Sequence, residues 1–364
     1  MIVRDITNYI EKLAPLQYAE DFDNVGLLVG NYNVQVTGVL VTLDTLEATV
    51  NEAIAKKCNL IVSFHPIIFD GLKKLNGNSY VERVVLKAIK NDIAIYATHT
   101  ALDNSKNGVS AKICEVLGLT NTKVLIPKKG IIKKLTTYVP SNDAKKLRNS
   151  LFNAGAGNIG NYDQCSFNIE GDGTFRGNEN SKPVLGEKGK LHTEKETQVS
   201  ITFESQHENA ILKALQKAHP YEEIAYEITT TENVHQNIGM GMLGELEQEM
   251  SEKEFLLFLK REMKTDCVRH SELLNKKIKK IAVLGGAGSF AIANAKKAGA
   301  DAYVSADFKY HEFFKAEKSI LLADIGHYES EQFTKNLLVD YLTKKFSNFA
   351  IILSEKSTNP IYYI

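Results

Sequence analysis

The stretch Asp324-Ile325-Gly326-His327-Tyr328-Glu329-Ser330-Glu331 decides how this chain is read. Before it, Ser319-Ile320-Leu321-Leu322-Ala323 is an apolar run of the kind that forms a buried strand. After it, Phe333, Leu337, Leu338, Tyr341 and Leu342 recur at helical spacing. His327 and Glu331 therefore stand where a strand hands over to a helix. If the helix starts at or before His327, the i,i+4 spacing stacks imidazole and carboxylate on one face, as a ready pair of metal ligands. The alternative is helix-start chemistry: Glu329 and Glu331 complement the helix dipole, and His327 is a polar residue at a strand end.

Working outward, the same position type recurs. Leu60-Ile-Val-Ser-Phe64 reads as a strand ended by His65-Pro66, and Ile93-Ala-Ile-Tyr-Ala-Thr98 as a strand ended by His99. Three of the nine histidines thus follow strands, in both halves of the chain. In open α/β sheets ligands bind at the carboxyl ends of strands. Asp103 lies four residues after His99, so an H-x-x-x-(D/E) pair occurs in each half. His65, Asp103, His327 and Glu331 form a mixed nitrogen and oxygen donor set. Such a set suits zinc, manganese or iron and leaves positions open for water. Structural zinc sites are usually local and thiolate-rich, so this dispersed set reads as catalytic.

Around these residues the chain alternates strand and helix. Val39-Leu-Val-Thr-Leu-Asp44 is a further strand, and a helix runs from about Val109 to Val116. Near-continuous apolar strands argue for a parallel sheet covered on both faces. The pattern changes from about residue 130. There Leu135-Thr-Thr-Tyr-Val139, Cys165-Ser-Phe-Asn-Ile169, Val199-Ser-Ile-Thr-Phe203 and Ile224-Ala-Tyr-Glu-Ile228 read as strands, with helices at Ala144 to Phe152 and Glu208 to Ala218. The polar, glycine-rich segment from Gly171 to Glu196 reads as an exposed loop. The order βαβ-βαβ is the ferredoxin-like plan. After about residue 245 the first pattern resumes. The expected fold is α/β: two sheet-based α/β halves forming one outer domain, residues 1–130 and 246–364, with an inserted ferredoxin-like α+β domain over 131–245.

Two weaker features remain open. Gly285-Gly-Ala-Gly-Ser289, between a strand and a helix, fits either a phosphate cradle on a helix N-terminus or a plain tight turn. His219-Pro-Tyr-Glu-Glu223 fits either a functional stretch or, more simply, a helix-to-strand connection. Ser-His-Asp catalysis has no support, since no G-x-S-x-G elbow occurs.

Composition excludes other classes. The chain has 364 residues, 43% hydrophobic and 24% charged, which suits two or three globular domains. Lys plus Arg and Asp plus Glu are both 44, so no basic field favours nucleic acid. No stretch approaches the roughly 20 apolar residues of a membrane span. Met1-Ile-Val-Arg-Asp-Ile lacks a signal-peptide layout, and the four cysteines are scattered. A cytoplasmic protein with reduced thiols is expected.

The combined pattern resembles the Nif-three-like family of dinuclear-metal hexamers, the GTP cyclohydrolase 1 type 2 homologues. The residues that carry the resemblance are Asp23-Asn24-x-Gly26-Leu27, Ser63-Phe64-His65-Pro66-x-Ile68-Phe69, His99-Thr-x-x-Asp103, Gly285-Gly286-x-Gly288, Ser305-Ala-Asp307-x-x-Tyr310-His311 and Gly326-His327-x-x-x-Glu331. They lie in order through both outer halves, and the insert resembles the extra domain of the longer bacterial members. The resemblance implies His65, Asp103, His327 and Glu331 as metal ligands to two divalent transition metal ions, zinc first, with iron or manganese as alternatives. It also implies a homohexameric ring with its metal sites facing an internal cavity. Many members carry two adjacent histidines where this chain has Phe64-His65, so one metal has one protein ligand fewer here.

Two functions follow as expectations. One is a metal-dependent hydrolase acting on an unidentified small molecule. In it two cations about 3.5–4 Å apart activate water, Asp103 and Glu331 bridge them, and His99 relays a proton. The other is a regulatory or metabolite-sensing hexamer without catalysis, in which the insert does the sensing.

Overall fold

A computed structural model describes residues 1–364. It divides into two compact units: Met1–Pro127 together with Gln236–Ile364, and Lys128–His235. The protein is a mixed α/β protein with several sheets and helices.

The first sheet of the larger unit contains β1 (Gly26–Val29), β2 (Val39–Thr42), β3 (Leu60–Ser63) and β4 (Ala94–Ala97). β2, β3 and β4 are parallel neighbours. Their sequences are short runs rich in Val, Ile and Leu, and every residue in them is buried. That is the signature of parallel strands covered on both faces. β1 is an antiparallel edge on β4.

The second sheet takes β5 (Thr120–Lys128), β10 (His235–Ser251), β11 (Arg269–His270), β12 (Lys277–Ala287), β13 (Ala302–Ala306) and β14 (Leu321–Asp324), in the order β11-β14-β13-β12-β10-β5. β12, β13 and β14 are parallel, while β10 runs antiparallel to β12 and β11 antiparallel to β14.

The two halves of the sequence do not keep to separate sheets. β15 (Ile351–Leu353), at the far end of the chain, pairs with β2 in the first sheet. β5, from the N-terminal half, pairs with β10 in the second. One core joins both sheets: Val41, Val62 and Tyr96 pack in the same cluster as Ile281, Val283 and Val304, with Val109 and Ile113 of the helix Val109–Val116.

Register places the site. Thr42 is level with Ser63, and Ser63 with Ala97, so Asp44, His65 and His99 emerge together at the carboxyl edge of the first sheet. Ser305 is level with Asp324, so Asp307 and His327 emerge together from the second.

The smaller unit holds β6 (Ile132–Pro140), β7 (Phe167–Phe175), β8 (His192–Glu204) and β9 (Tyr226–Thr230) in the order β7-β8-β6-β9, all neighbours antiparallel. The helices Ala144–Asn153 and Glu208–Ala218 fall between β6 and β7 and between β8 and β9. Leu147, Leu151, Ile211 and Leu215 of these helices share a core with Leu135, Val199 and Ile201.

The segment Gly171 to Glu196, expected as a loop, is strand at both ends. Gly171 pairs with Glu196 and Phe175 with His192, so only residues 176–191 lie outside strands. Its glycines hid the alternation on which a strand reading depends. The second boundary of the smaller unit also falls before residue 245, because β10 runs unbroken from His235 to Ser251.

Candidate metal centre

Gly326, with φ of 92°, turns the chain out of β14, and a five-residue helix starts at His327 and ends at Glu331. The i,i+4 geometry brings Nε2 of His327 to 3.3 Å from Oε2 of Glu331. Nε2 of His65, from the other sheet, stands 3.1 Å from the same oxygen. The ligand atoms of His65, His327 and Glu331 all lie within 4.8 Å of one another. Yet Oε2 of Glu331 is buried and makes no properly directed hydrogen bond. An orphaned buried carboxylate oxygen is costly. Two imidazole nitrogens converging on it, outside hydrogen-bond geometry, fit a divalent cation.

Each histidine at this edge is held from behind by a carboxylate. Nδ1 of His65 is 2.8 Å from Oδ1 of Asp44, and the other Asp44 oxygen accepts the Thr358 hydroxyl at 2.5 Å. Nδ1 of His327 is 2.7 Å from Oδ2 of Asp307. Nδ1 of His99 is 2.7 Å from Oδ1 of Asp23, whose second oxygen accepts the Thr100 amide and hydroxyl. A carboxylate on Nδ1 fixes the proton there and leaves Nε2 with a free lone pair, the arrangement that metal-binding histidines use.

The electrostatics agree. Burial alone would lower the pKa values of His65 and His327, but Asp44 with Glu331, and Asp307 with Glu331, raise both well above the usual imidazole range. Burial alone would raise Glu331, and the two imidazoles outweigh it and hold its carboxyl low.

The glycine turn after β12 is explained by the same site. Gly286 has φ of 67°, and a Cβ there would come within 2.4 Å of Oε1 of Glu331 and 3.4 Å of Cε1 of His327. Its amide donates to Oγ of Ser330 at 2.8 Å. Of the two readings of Gly285-Gly-Ala-Gly-Ser289, the tight turn is the one present. A 3-10 turn and a helix of only six residues follow it, and its bare face makes room for Glu331.

Of the residues singled out in the sequence, His65, His327 and Glu331 meet. Asp103, the last residue of the short helix His99–Asp103, is outside that tight group. Its carboxyl is pushed well above the usual range, first by burial and then by the negative charge of Glu331, while His65 and His327 pull the other way. His99 lies beside the group, with its ring centroid 5.4 Å from that of His65. Its backbone φ of 25° is rare for a residue with a side chain and marks a strained turn at the site. His219 serves the other unit, where its Nε2 is 2.8 Å from the Tyr138 carbonyl oxygen. Asp23, Asp44, Asp307 and Thr358 are the positions whose part in the site sequence reasoning did not assign.

The family described as Duf34/NIF3 (NGG1p interacting factor 3) matches residues 1–360. The chain belongs to this family. Among curated relatives, the GTP cyclohydrolase 1 type 2 homologue of Bacillus subtilis is 39% identical over 368 residues, covering 99% of this chain and 98% of the relative. The homologue of Halalkalibacterium halodurans is 34% identical, covering 99% and 98%. The crystal structure of a Bacillus cereus protein related to NIF3 has a TM-score of 0.84 at 36% identity, covering 100% of this chain and 99% of that one.

In this NIF3-family chain Phe64 precedes His65 and is fully buried. Its ring packs against His65 and His99, with centroids 4.8 and 5.6 Å apart. It contributes an apolar wall and no donor atom. No helix is long and apolar enough to cross a membrane.

Proposed function

We propose that this chain is a GTP cyclohydrolase 1 type 2 homologue with a dinuclear, hydrolase-like metal centre, acting on a small molecule as one subunit of a homohexamer in the cytoplasm. The observation that carries the reading is the convergence of two carboxylate-held imidazoles on the unpartnered Oε2 of Glu331. His65, Asp103, His327 and Glu331 would hold two divalent transition metal ions, and a borderline nitrogen and oxygen donor set favours zinc, with iron or manganese also accommodated. When bound, such ions supply Lewis acidity and activate water at neutral pH.

The remaining roles belong to the protein's own groups. Asp44 and Asp307 orient His65 and His327 and neutralise charge behind them. Asp103 and Glu331 would supply the carboxylate donors to the metal ions. Phe64 leaves one position a protein ligand short, where water would complete the shell. His99 is held on Nδ1 by Asp23 with Nε2 directed away from that bond, which suits a proton relay.

The insert, by its β-α-β-β-α-β order and its antiparallel sheet, reads as a ferredoxin-like domain. Its bounds are best taken as Lys128–His235.

Elemental analysis of protein purified without chelator tests the centre. Wild type should carry a transition metal, and a protein with His327→Ala and Glu331→Ala should lose most of it. Equal metal in both sinks the assignment. In the same series His99→Ala should keep its metal but turn over an activated ester or phosphodiester about 10²-fold more slowly. Unchanged turnover removes the relay.

A further inference from the structure

A cavity lies within the smaller unit, with His192 packed on the ring of its lining residue Phe175 and His219 on that of Tyr221. It encloses about 370 Å³, at the lower end of the range of about 300–1,000 Å³ typical of small-molecule sites. One wall is the sheet, through Tyr138 of β6, Phe175 of β7 and Glu196 of β8. The segment after β7 lines it with Leu185, and the turn after the helix Glu208–Ala218 lines it with Tyr221 and Glu223.

The interior is built rather than incidental. The rings of Phe175 and Tyr221 meet edge to face, with centroids 5.6 Å apart. Tyr221 donates its hydroxyl to Oε1 of Glu196 at 2.9 Å, which fixes the carboxylate in the cavity wall. The other oxygen of Glu196 lies over bare Gly173, where a Cβ would come within 2.1 Å of it. Glycine at 173 therefore leaves room for this carboxylate. Glu222 pins the loop by accepting the Lys182 amide at 2.7 Å.

Charge and ring chemistry select the ligand. Glu196, Glu222 and Glu223 face the cavity against the single guanidinium of Arg176. Aromatic faces attract cations, and a fixed carboxylate beside them adds a charge-assisted hydrogen bond. The apolar lining of Leu185, Pro183 and Val184 suits a short hydrocarbon body. We propose that this cavity binds a small organic cation, an ammonium or guanidinium on an apolar chain, with its charged head on Glu196 and its body against Phe175, Tyr138 and Tyr221. The site stands independently of the metal centre, so either can fail without the other.

Calorimetric titration of the full-length protein tests this with pentylammonium and pentylguanidinium as probes, and with pentanol and hexanoate as neutral and anionic controls of similar length. Expected is saturable binding of at least one cation at one site per chain, with no binding of either control. Glu196→Gln still accepts the Tyr221 hydroxyl, so the wall is preserved. It should weaken binding at least about tenfold through loss of a charged hydrogen bond. Tyr221→Phe should weaken it several-fold by releasing that carboxylate. Unchanged metal content and unfolding temperature would show that each variant is intact, and Glu223→Gln gives a second charge deletion should Glu196→Gln unfold. The proposal is overturned by any of three results: no cation binds up to about 10 mM, where binding energy falls below about 3 kcal/mol; pentanol or hexanoate binds as well as the cations; or cation binding is unchanged in the folded charge-deletion variants.

Discussion

Replacing Asp307 by Asn isolates what the carboxylate behind a histidine does. Asp307 sits directly after β13 in a left-handed conformation, φ of 58°, with Oδ2 2.7 Å from Nδ1 of His327. Hydrogen bonding to His327 holds its carboxyl below the ordinary range. Asn tolerates this backbone region better than most residues, and its amide oxygen still accepts the Nδ1 proton, so the fold is kept and only the charge is removed. The Asp307 side chain is 47% exposed, which screens its charge, so global stability should change by less than about 1 kcal/mol. Metal affinity should change more. Loss of an orienting carboxylate typically costs about 10–100-fold, or about 1.4–2.8 kcal/mol. Competition of the metal-free protein against a chromophoric chelator reads this directly, with thermal unfolding as the fold control. Asp307→Ala adds left-handed strain of about 1 kcal/mol, so it should lower the unfolding temperature as well. The reasoning is refuted if Asp307→Asn binds metal within about threefold of wild type while His327→Ala does not bind it.

Two further outcomes are expected. Gly286→Ala should lower metal affinity by at least about tenfold and also lower stability by about 1–2 kcal/mol. Its Cβ would displace the Glu331 carboxylate and its φ of 67° is strained for alanine; full metal content at an unchanged unfolding temperature would contradict both. Glu52→Gln should destabilise the protein by about 1–3 kcal/mol at neutral pH. Burial alone would raise the Glu52 carboxyl, but the Glu355 amide, the Ser354 hydroxyl and Lys56 outweigh it and hold it low. A lowered folded-state pKa gives stability that is present above the unfolded value near 4.3 and is lost as pH falls through the folded one. The gap between wild type and Glu52→Gln should therefore close in acid, and denaturant unfolding showing a constant gap from pH 7 to about 3 would exclude the mechanism.

The parallel strands were legible because burial on both faces leaves continuous apolar runs, as in Val39–Thr42 and Leu60–Ser63. The helix Val109–Val116 was legible from its spacing and the glycine that follows it. What the sequence hid is non-local. β15 carries nothing in Ile351–Leu353 to say that it pairs with β2 rather than with its own half, since a three-residue apolar strand fits any parallel neighbour. The start of β7 was read in Cys165–Ile169, but its continuation to Phe175 was obscured because Gly171 and Gly173 interrupt the alternation, and the pairing that identifies it comes from β8.

The centre shows a different limit. His65 and His327 stand out by one positional rule, polar residues just past strand ends, and Glu331 by its i,i+4 spacing from His327. The same rule reaches Asp44, two residues past β2, and Asp307, directly past β13. What it cannot supply is the pairing, because Asp44 serves His65 only once register has set β2 level with β3, and Thr358 reaches Asp44 only after β15 has returned to the first sheet. Candidate ligands stand out by residue type, whereas the groups that orient them are chosen by topology. The residues that tune this site are therefore spread over both sheets and the C-terminal segment. A change such as Asp307→Asn can weaken the centre without touching any atom that would hold the metal.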